Sequence, residues 1–395
     1  MNILFLDQFS DPGGAQLALL DLMGEVLRRR WKPRIMAPGF GPLLKRASFA
    51  GIPVQPLSLR SLSSGHKSVT DLFHYMQDLP VVKQEIARAI DDHHIDLIYA
   101  NGPRILPATV GLQLPVIFHA HSYVNGFFPR RLAMHAVRAA NATIIAASRF
   151  AGSQFQPVSR NPVHVVYNGA PDLKSSMASA KPEKLRIGLV GRLAPEKGQM
   201  DFVRAAAVIG GDSTSFTIYG QTFFSTNDYE LRVRELAARS PVRFEPWQDD
   251  PAGVYREIDI LAVPSSRFEA STRVIMEAFS AGVTVVAYPS GGIPEIVEHG
   301  RTGLLTESNA YQSLASAIQR LRNNPGLRAQ LAVAGRGEWE RRFTKQRFQT
   351  AICDIIAGVM QRHRSATSSL DPAAQSATTA EYLRDKTPPA APVRR

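Results

Sequence analysis

The sequence predicts an α/β protein built from two doubly wound domains that face each other across a cleft. Three observations carry this. At 395 residues the chain is too long for one ordinary core, so two domains are expected. Continuous apolar runs of strand length alternate with amphipathic runs of helix length, the pattern of parallel sheets covered on both faces. The alternation is broken once, by "NGAPDLKSSMASAKPEK" at 168–184, which has no apolar period and reads as a linker.

Taken in order, "NILFLD" is a first strand, followed by the loop "SDPGGAQ" and a helix over 15–30. "RIMAP", "IDLIYAN", "LPVIFHAH" and "ATIIAAS" are further strands, with helices such as "VVKQEIARAIDDH" and "PRRLAMHAVRAA" between them. Residues 1–167 therefore form an N-terminal domain and 168–184 the linker. The pattern restarts with "LRIGLVGRL", a helix from about Gln199, "SFTIYG", "LRVRELAAR", "VRFEPW", "IDILAVPS", a helix after Glu269 and "VTVVAYP". Two helices over 310–324 and 327–342 complete a C-terminal domain at 185–345. A last helix at 346–363 is placed to pack back on the N-terminal domain. Residues 364–395 are rich in Ser, Thr, Ala and Pro, cannot bury a core, and read as a disordered tail.

Composition narrows the function. With 44% hydrophobic and 20% charged residues the chain has the balance of a soluble globular enzyme. One cysteine, Cys353, excludes an internal disulfide. The opening apolar run stops at Asp7 with no basic segment before it, unlike a signal peptide, and no apolar run is long enough to span a bilayer. A cytoplasmic protein is expected. The net charge of +12 lies mostly in residues 1–167, which leaves anionic membrane, anionic substrate and nucleic acid as partners. Nucleic acid is disfavoured, because no aromatic–basic interleaving or reader motif occurs.

Doubly wound sheets bind ligands beyond the carboxyl ends of their strands, so the loops there matter most. In "DPGGAQ", Gly13 and Gly14 let backbone approach a ligand where a helix begins; a plain tight turn is equally consistent. It is not a dinucleotide fingerprint. "FHAHSY" puts His119 and His121 on one face at a strand end, as substrate-touching or structural histidines. No third ligand group accompanies them, so no metal is expected. In "GLVGRLAPEKG", Arg192 and Lys197 offer a planar fork and a point charge, suited to a diphosphate.

"SSRFEASTRVIMEAFSAG" at 265–282 places Glu269 before a helix capped by Ser271 or Thr272, and Glu277 within its first two turns. The N–H groups of Ser271, Thr272 and Arg273 can cradle phosphate, while a carboxylate such as Glu277 can grip a ribose diol. In "PSGGIPEIVEHGRTGLL", Gly291 and Gly292 permit a tight approach, and Pro294 and Glu295 suit a first helical turn.

These motifs, in this order and spacing over residues 1–345, resemble the retaining glycosyltransferase family 4, whose GT-B architecture pairs two Rossmann-like domains. The pieces are "DPGGAQ", "FHAHS", "AASRF", "VYNGAP", "GRLAPEKG", "FEASTRVIMEAFSAG" and "GGIPEIVEHGRTGLL". The resemblance implies that Arg192 and Lys197 bind the donor diphosphate, Glu269 lies near the donor sugar, and Glu277 holds the ribose. It puts Gly13 and Gly14 against the diphosphate and acceptor, with His121, then His119, near the reacting sugar. One departure is that Ala270, Ser271 and Thr272 stand where the family usually has an aromatic and a glycine.

The implied activity is transfer of a sugar from a UDP- or GDP-sugar to a hydroxyl of a glycan or lipid-linked acceptor, with retention and without cofactor or metal, in cell-surface polysaccharide or glycoconjugate synthesis. A GT-B nucleotide-sugar epimerase or phosphorylase is the alternative; it would release free epimer or sugar phosphate. The basic run Arg28, Arg29, Arg30 and Lys32 around Trp31 suits an anionic membrane surface, giving an expected peripheral site at the inner face of the membrane. A solvated helix end is the competing account of that run.

Overall fold

A computed structural model describes residues 1–11, 13–60, 69–174, 183–222, 227–248 and 250–368. The N-terminal unit comprises β1 (Asn2–Asp7), α1 (Gly14–Arg28), β2 (Lys32–Pro38), α2 (Pro42–Phe49), β3 (Val54–Leu57), α3 (Val69–His93), β4 (Leu97–Asn101), β5 (Val116–Ala120), α4 (Phe127–Ala139), β6 (Thr143–Ala146), α5 (Arg149–Ser153) and β7 (Val163–Val165). Its seven strands are all parallel, in the order β3-β2-β1-β4-β5-β6-β7.

The C-terminal unit comprises β8 (Leu185–Val190), α6 (Gln199–Ile209), β9 (Thr214–Tyr219), α7 (Asn227–Ala237), β10 (Val242–Glu245), α8 (Pro251–Arg256), β11 (Ile260–Val263), α9 (Arg273–Ala281), β12 (Thr284–Ala287), β13 (Leu304–Leu305), α10 (Tyr311–Asn323) and α11 (Pro325–Glu338). Six parallel strands run β10-β9-β8-β11-β12-β13. In each sheet the order reverses beside the first strand, leaving a crevice at the carboxyl ends of β1 and β4, and of β8 and β11.

The central strands explain themselves. Ile3 to Leu6 and Leu97 to Ala100 are almost fully buried, because helices cover both faces and an alternating pattern would put polar groups into the core. The helix α9 sets Ile275, Met276, Ala278 and Phe279 into the C-terminal core. It stops at Gly282, whose φ of +73° is the left-handed ending that glycine adopts without penalty.

α12 (Lys345–Ser368) crosses back to the first unit. Its Phe348, Ile352, Ile356 and Met360 join Leu19, Leu22 and Val26 of α1 in one core cluster. Cys353 is buried there as a small hydrophobe. The helix runs past 363, so 364–368 are helical, while 369–395 of the expected tail lie outside the described residues. Among the described residues no helix is long and apolar enough to cross a membrane.

The segment expected to be a linker is partly packed. Ala170 and Leu173 are buried in the C-terminal core, and Ala170 pairs with the return crossing: its N–H donates to Phe343 O and its carbonyl accepts from Lys345 N and Trp339 Nε1. A Cβ on Gly169 would stand 2.7 Å from Lys345 Cα, so glycine permits the two crossings to touch. Residues 175–182 lie outside the described residues.

Candidate active site

The cleft brings together the loops after β1, β4 and β5 from one side and those after β8, β11 and β12 from the other. On the C-terminal side, β8 ends in the loop carrying Arg192 and Lys197. Gly198, at φ +73°, turns this loop against β11; a Cβ there would meet Pro264 O at 2.0 Å. Lys197 Nζ then lies 2.6 Å from Glu269 Oε2. Burial raises the Glu269 pKa, but Lys197, the Ser265 hydroxyl and Arg192 outweigh it, so the carboxyl ends below its usual range and ionised. Arg192 pairs with Glu196 on its own loop.

Glu269 sits at the mouth of α9, which Thr272 caps without a side-chain bond. The Thr272 hydroxyl is buried with no partner, and the N–H groups of Ser271, Thr272 and Arg273 have no acceptor among the described residues. Unspent donors at a helix start are an anion cradle, and Lys197 stands beside this one. Gly291 and Gly292 back the loop: Gly292 N–H donates to Glu269 O at 2.7 Å, and a Cβ on either glycine would strike the carbonyl of Glu269 or Ala270 at 2.3 or 2.2 Å. Their close approach is to the chain itself.

Two residues expected at the donor have protein partners here. Glu277 is buried, and its oxygens accept from Arg273 Nε at 2.8 Å and Tyr255 Oη at 3.1 Å. Arg273 also reaches across the cleft to Asp21 of α1 at 2.6 Å, and Lys345 takes the other Asp21 oxygen at 2.6 Å. Arg273 is therefore a strut between domains as well as part of the helix start. Glu295 accepts from the N–H groups of Arg149 and Phe150, both at 2.8 Å, and from Tyr167 Oη at 2.9 Å. Sequence reasoning placed it beside the donor; the structure uses it to join α5 to the other domain.

On the N-terminal side, Gly13 precedes α1 and its N–H donates to Gln16 Oε1, whereas nothing lies within 4 Å of a Cβ on Gly14. His119 and His121 lie with ring centroids 3.7 Å apart. His119 Nδ1 meets Tyr99 Oη at 2.6 Å, and His121 Nε2 meets Asn101 Oδ1 at 2.7 Å. Burial holds both imidazoles neutral, with the His121 pKa lowered to about 3. Asp7, at the end of β1, accepts from Asn101 and Gln16, and burial raises its pKa to about 6.

Three aromatic residues that the sequence reading missed close the mouth. Tyr123 stacks on Phe150 and on Phe268 at 5.0 Å each, joining the two domains. Phe268 is held at φ +47°, an unusual conformation for a bulky residue. Beside it, Phe150, Ser266, Arg267, Phe268, Ser290 and Gly291 line a cavity of about 450 Å³. A second open cavity of about 640 Å³, lined by Leu305, Glu307 and Gln312 among others, contains none of the site residues. Asp7 and Asn101 were also overlooked, although each ends a buried strand beside a candidate loop, and that placement was the available signal.

Away from the cleft, the basic run is partly neutralised. Arg28 and Arg29 pair with Glu25, and Arg29 also with Asp354 and over the Trp31 ring. Arg30 and Lys32 have no acidic partner among the described residues.

Two parallel α/β units, each offering its strand ends to a shared cleft, define the GT-B architecture. The solved structure of HepE from Anabaena with UDP-glucose is similar over 91% of this chain and 100% of that one, at 25% identity and TM-score 0.78. WaaG, a glycosyltransferase of lipopolysaccharide biosynthesis, is similar in fold over 91% and 100%, at 17% identity and TM-score 0.70. Two family descriptions match in succession: Glycosyltransferase Family 4 over residues 12–172 and Glycosyl transferases group 1 over 184–324. The chain belongs to the group 1, or family 4, glycosyltransferases.

Among curated relatives, a D-inositol 3-phosphate glycosyltransferase of Actinosynnema mirum is 34% identical over 169 residues, 38% of this chain and 39% of that protein. The lipopolysaccharide core biosynthesis glycosyltransferase LpsD of Rhizobium meliloti is 28% identical over 174 residues, 44% of this chain and 50% of that protein. The chain thus spans half or less of the length of these relatives.

Proposed function

We propose that this protein transfers a sugar from a UDP- or GDP-sugar to a hydroxyl of a glycan or lipid-linked acceptor, with retention of anomeric configuration and without a metal. The observation that carries the reading is the ion pair of Lys197 and Glu269 at the unspent N–H groups of α9. A nucleotide diphosphate placed there meets Lys197, Arg192 and the helix start, which stabilise the charge that grows as the glycosidic bond to phosphate breaks. These fixed cations do the work that a divalent ion does in other transferases. Glu269 orients Lys197 and lies beside the donor sugar. Front-face attack lets the departing phosphate take the acceptor proton, which accounts for the absence of a required side-chain base in this scheme.

Glu277 would receive the ribose hydroxyls on lone pairs left by Arg273 and Tyr255, since an ionised carboxylate offers about four acceptor positions. Gly14 leaves open backbone against the diphosphate. The HepE structures with UDP and UDP-glucose favour a uridine donor, and the LpsD likeness favours a cell-surface glycan acceptor. Peripheral contact with an anionic membrane would rest on Arg30 and Lys32 in particular.

The test is nucleotide release from a panel of UDP- and GDP-sugars, with and without EDTA, followed by NMR of the anomeric linkage in the product. Selective, EDTA-resistant release with a retained anomer is expected. Release of free epimer or sugar phosphate, or an inverted product, refutes the assignment.

A further inference from the structure

The hydrogen bonds behind His121 form a chain whose direction can be read from heavy atoms alone. Asn101 Nδ2 lies 2.5 Å from Asp7 Oδ2 and 3.3 Å from Ala15 O. The Ala15 carbonyl can only accept, and so can an ionised Asp7, so this atom is the amide nitrogen. Asn101 Oδ1 therefore faces His121 Nε2, which must carry the ring proton. His121 Nδ1 is left as a bare lone pair, buried and without a partner.

The same logic runs the other way from Asp7. Gln16 Oε1 accepts from the backbone N–H of Gly13, so its nitrogen is the one donating to Asp7 Oδ1 at 2.7 Å. Phe9 N–H adds a second donor to that oxygen at 2.9 Å. One carboxylate thus holds both the start of the glycine loop and, through Asn101, the tautomer of His121.

We infer that Asp7 and Asn101 are positioning residues: they hold His121 as the Nε2–H tautomer, so that its Nδ1, closed from solvent in this structure, can act only as an acceptor. Gln16 ties the same carboxylate to Gly13, which couples the histidine to the loop beside the diphosphate. The functional part of this rests on the proposed transferase reading; the tautomer does not.

Asp7→Asn gives a directional test. Phe9 N–H pins the oxygen of the new amide at the Oδ1 position, so its nitrogen faces Asn101 Nδ2, donor against donor. Asn101 must turn over and offer its nitrogen to His121, which moves the ring proton to Nδ1. In protein labelled with 15N-histidine, ring 1H–15N correlations distinguish the tautomers, and His121→Gln assigns the signal.

The wild type is expected to show Nε2–H at His121, and Asp7→Asn to show Nδ1–H. Donor turnover should fall about 100-fold in the variant, as for a misplaced reacting group, while UDP affinity by calorimetry stays within about threefold. Asn101→Asp, which keeps the acceptor for Nε2–H, should retain the wild-type tautomer. Nδ1–H in the wild type, or no change of tautomer in Asp7→Asn, overturns the inference. Expected tautomers with no turnover of any donor leave the relay standing and overturn the transferase reading instead.

Discussion

Replacing Lys197 by methionine tests the centre of the site. The side chain keeps its length and loses its charge, leaving Glu269 without the partner now 2.6 Å away. The two side chains are only 23% and 13% exposed, so little water can take the place of the ammonium. Removing one member of a well-buried pair costs ~3–5 kcal/mol, and the remaining exposure puts this case near the lower end. At ~2–4 °C per kcal/mol for a domain of this size, 3 kcal/mol corresponds to a loss of about 6–12 °C in melting temperature.

The loss must depend on pH. In the wild type the Glu269 pKa is lowered, so the pair stabilises the fold above the unfolded carboxylate pKa, and that stability disappears as pH falls through the folded value. In Lys197→Met only the Ser265 hydroxyl and Arg192 still oppose burial, the largest influence, so the pKa rises and the penalty grows as pH rises past the unfolded value of ~4.3. Calorimetric melts of both proteins at neutral pH and near the unfolded pKa should show a wide gap in the first condition and a narrow one in the second. Donor turnover should fall about 100-fold or more, as when one charge-stabilising donor is removed. Equal gaps at the two pH values would refute the electrostatic argument, and near-normal turnover would remove Lys197 from the diphosphate.

Two further outcomes follow from how charges are spent. Glu295→Ala should lower the melting temperature through loss of three hydrogen bonds worth ~2–4 kcal/mol in all, with UDP affinity unchanged within about twofold; loss of UDP binding at constant stability would return Glu295 to the donor site. Arg30→Glu with Lys32→Glu should abolish co-sedimentation with vesicles containing phosphatidylserine, whereas Arg28→Glu should matter less, because Glu25 already offsets Arg28. Sedimentation indifferent to all three charges would end the membrane reading.

Much of the architecture was legible because its signals are local. Central parallel strands are continuous apolar runs, and β1, β4, β5, β6, β8, β11 and β12 all read that way. The helix α9 announced itself by Val274, Ile275 and Ala278 and by its terminal glycine. The edge strands β3 and β7 were not legible: β3 is four residues containing Pro56, and β7 is three residues with none buried. Short, half-covered strands have no apolar run to detect. The segment at 168–184 read as a linker by composition, yet Ala170 is buried because the return crossing supplies it with hydrogen-bond partners from residues 339–345.

Sequence alone determined the alternation of strand and helix, and hence two parallel sheets with ligand loops at their carboxyl ends, because periodicity and handed crossovers leave few other solutions. It also determined which residue types stand on those loops: Lys197, Glu269, His121 and the glycines. Only the tertiary structure decided what each one faces. The pairing of Lys197 with Glu269, the diversion of Glu295 to α5, the strut from Arg273 to Asp21 and the chain from Gln16 through Asp7 and Asn101 to His121 all join residues distant in sequence. A carboxylate on a loop looks the same in sequence whether it meets a ribose, a lysine or a helix start, because its role is set by whichever donor the packing of two domains places within hydrogen-bond reach.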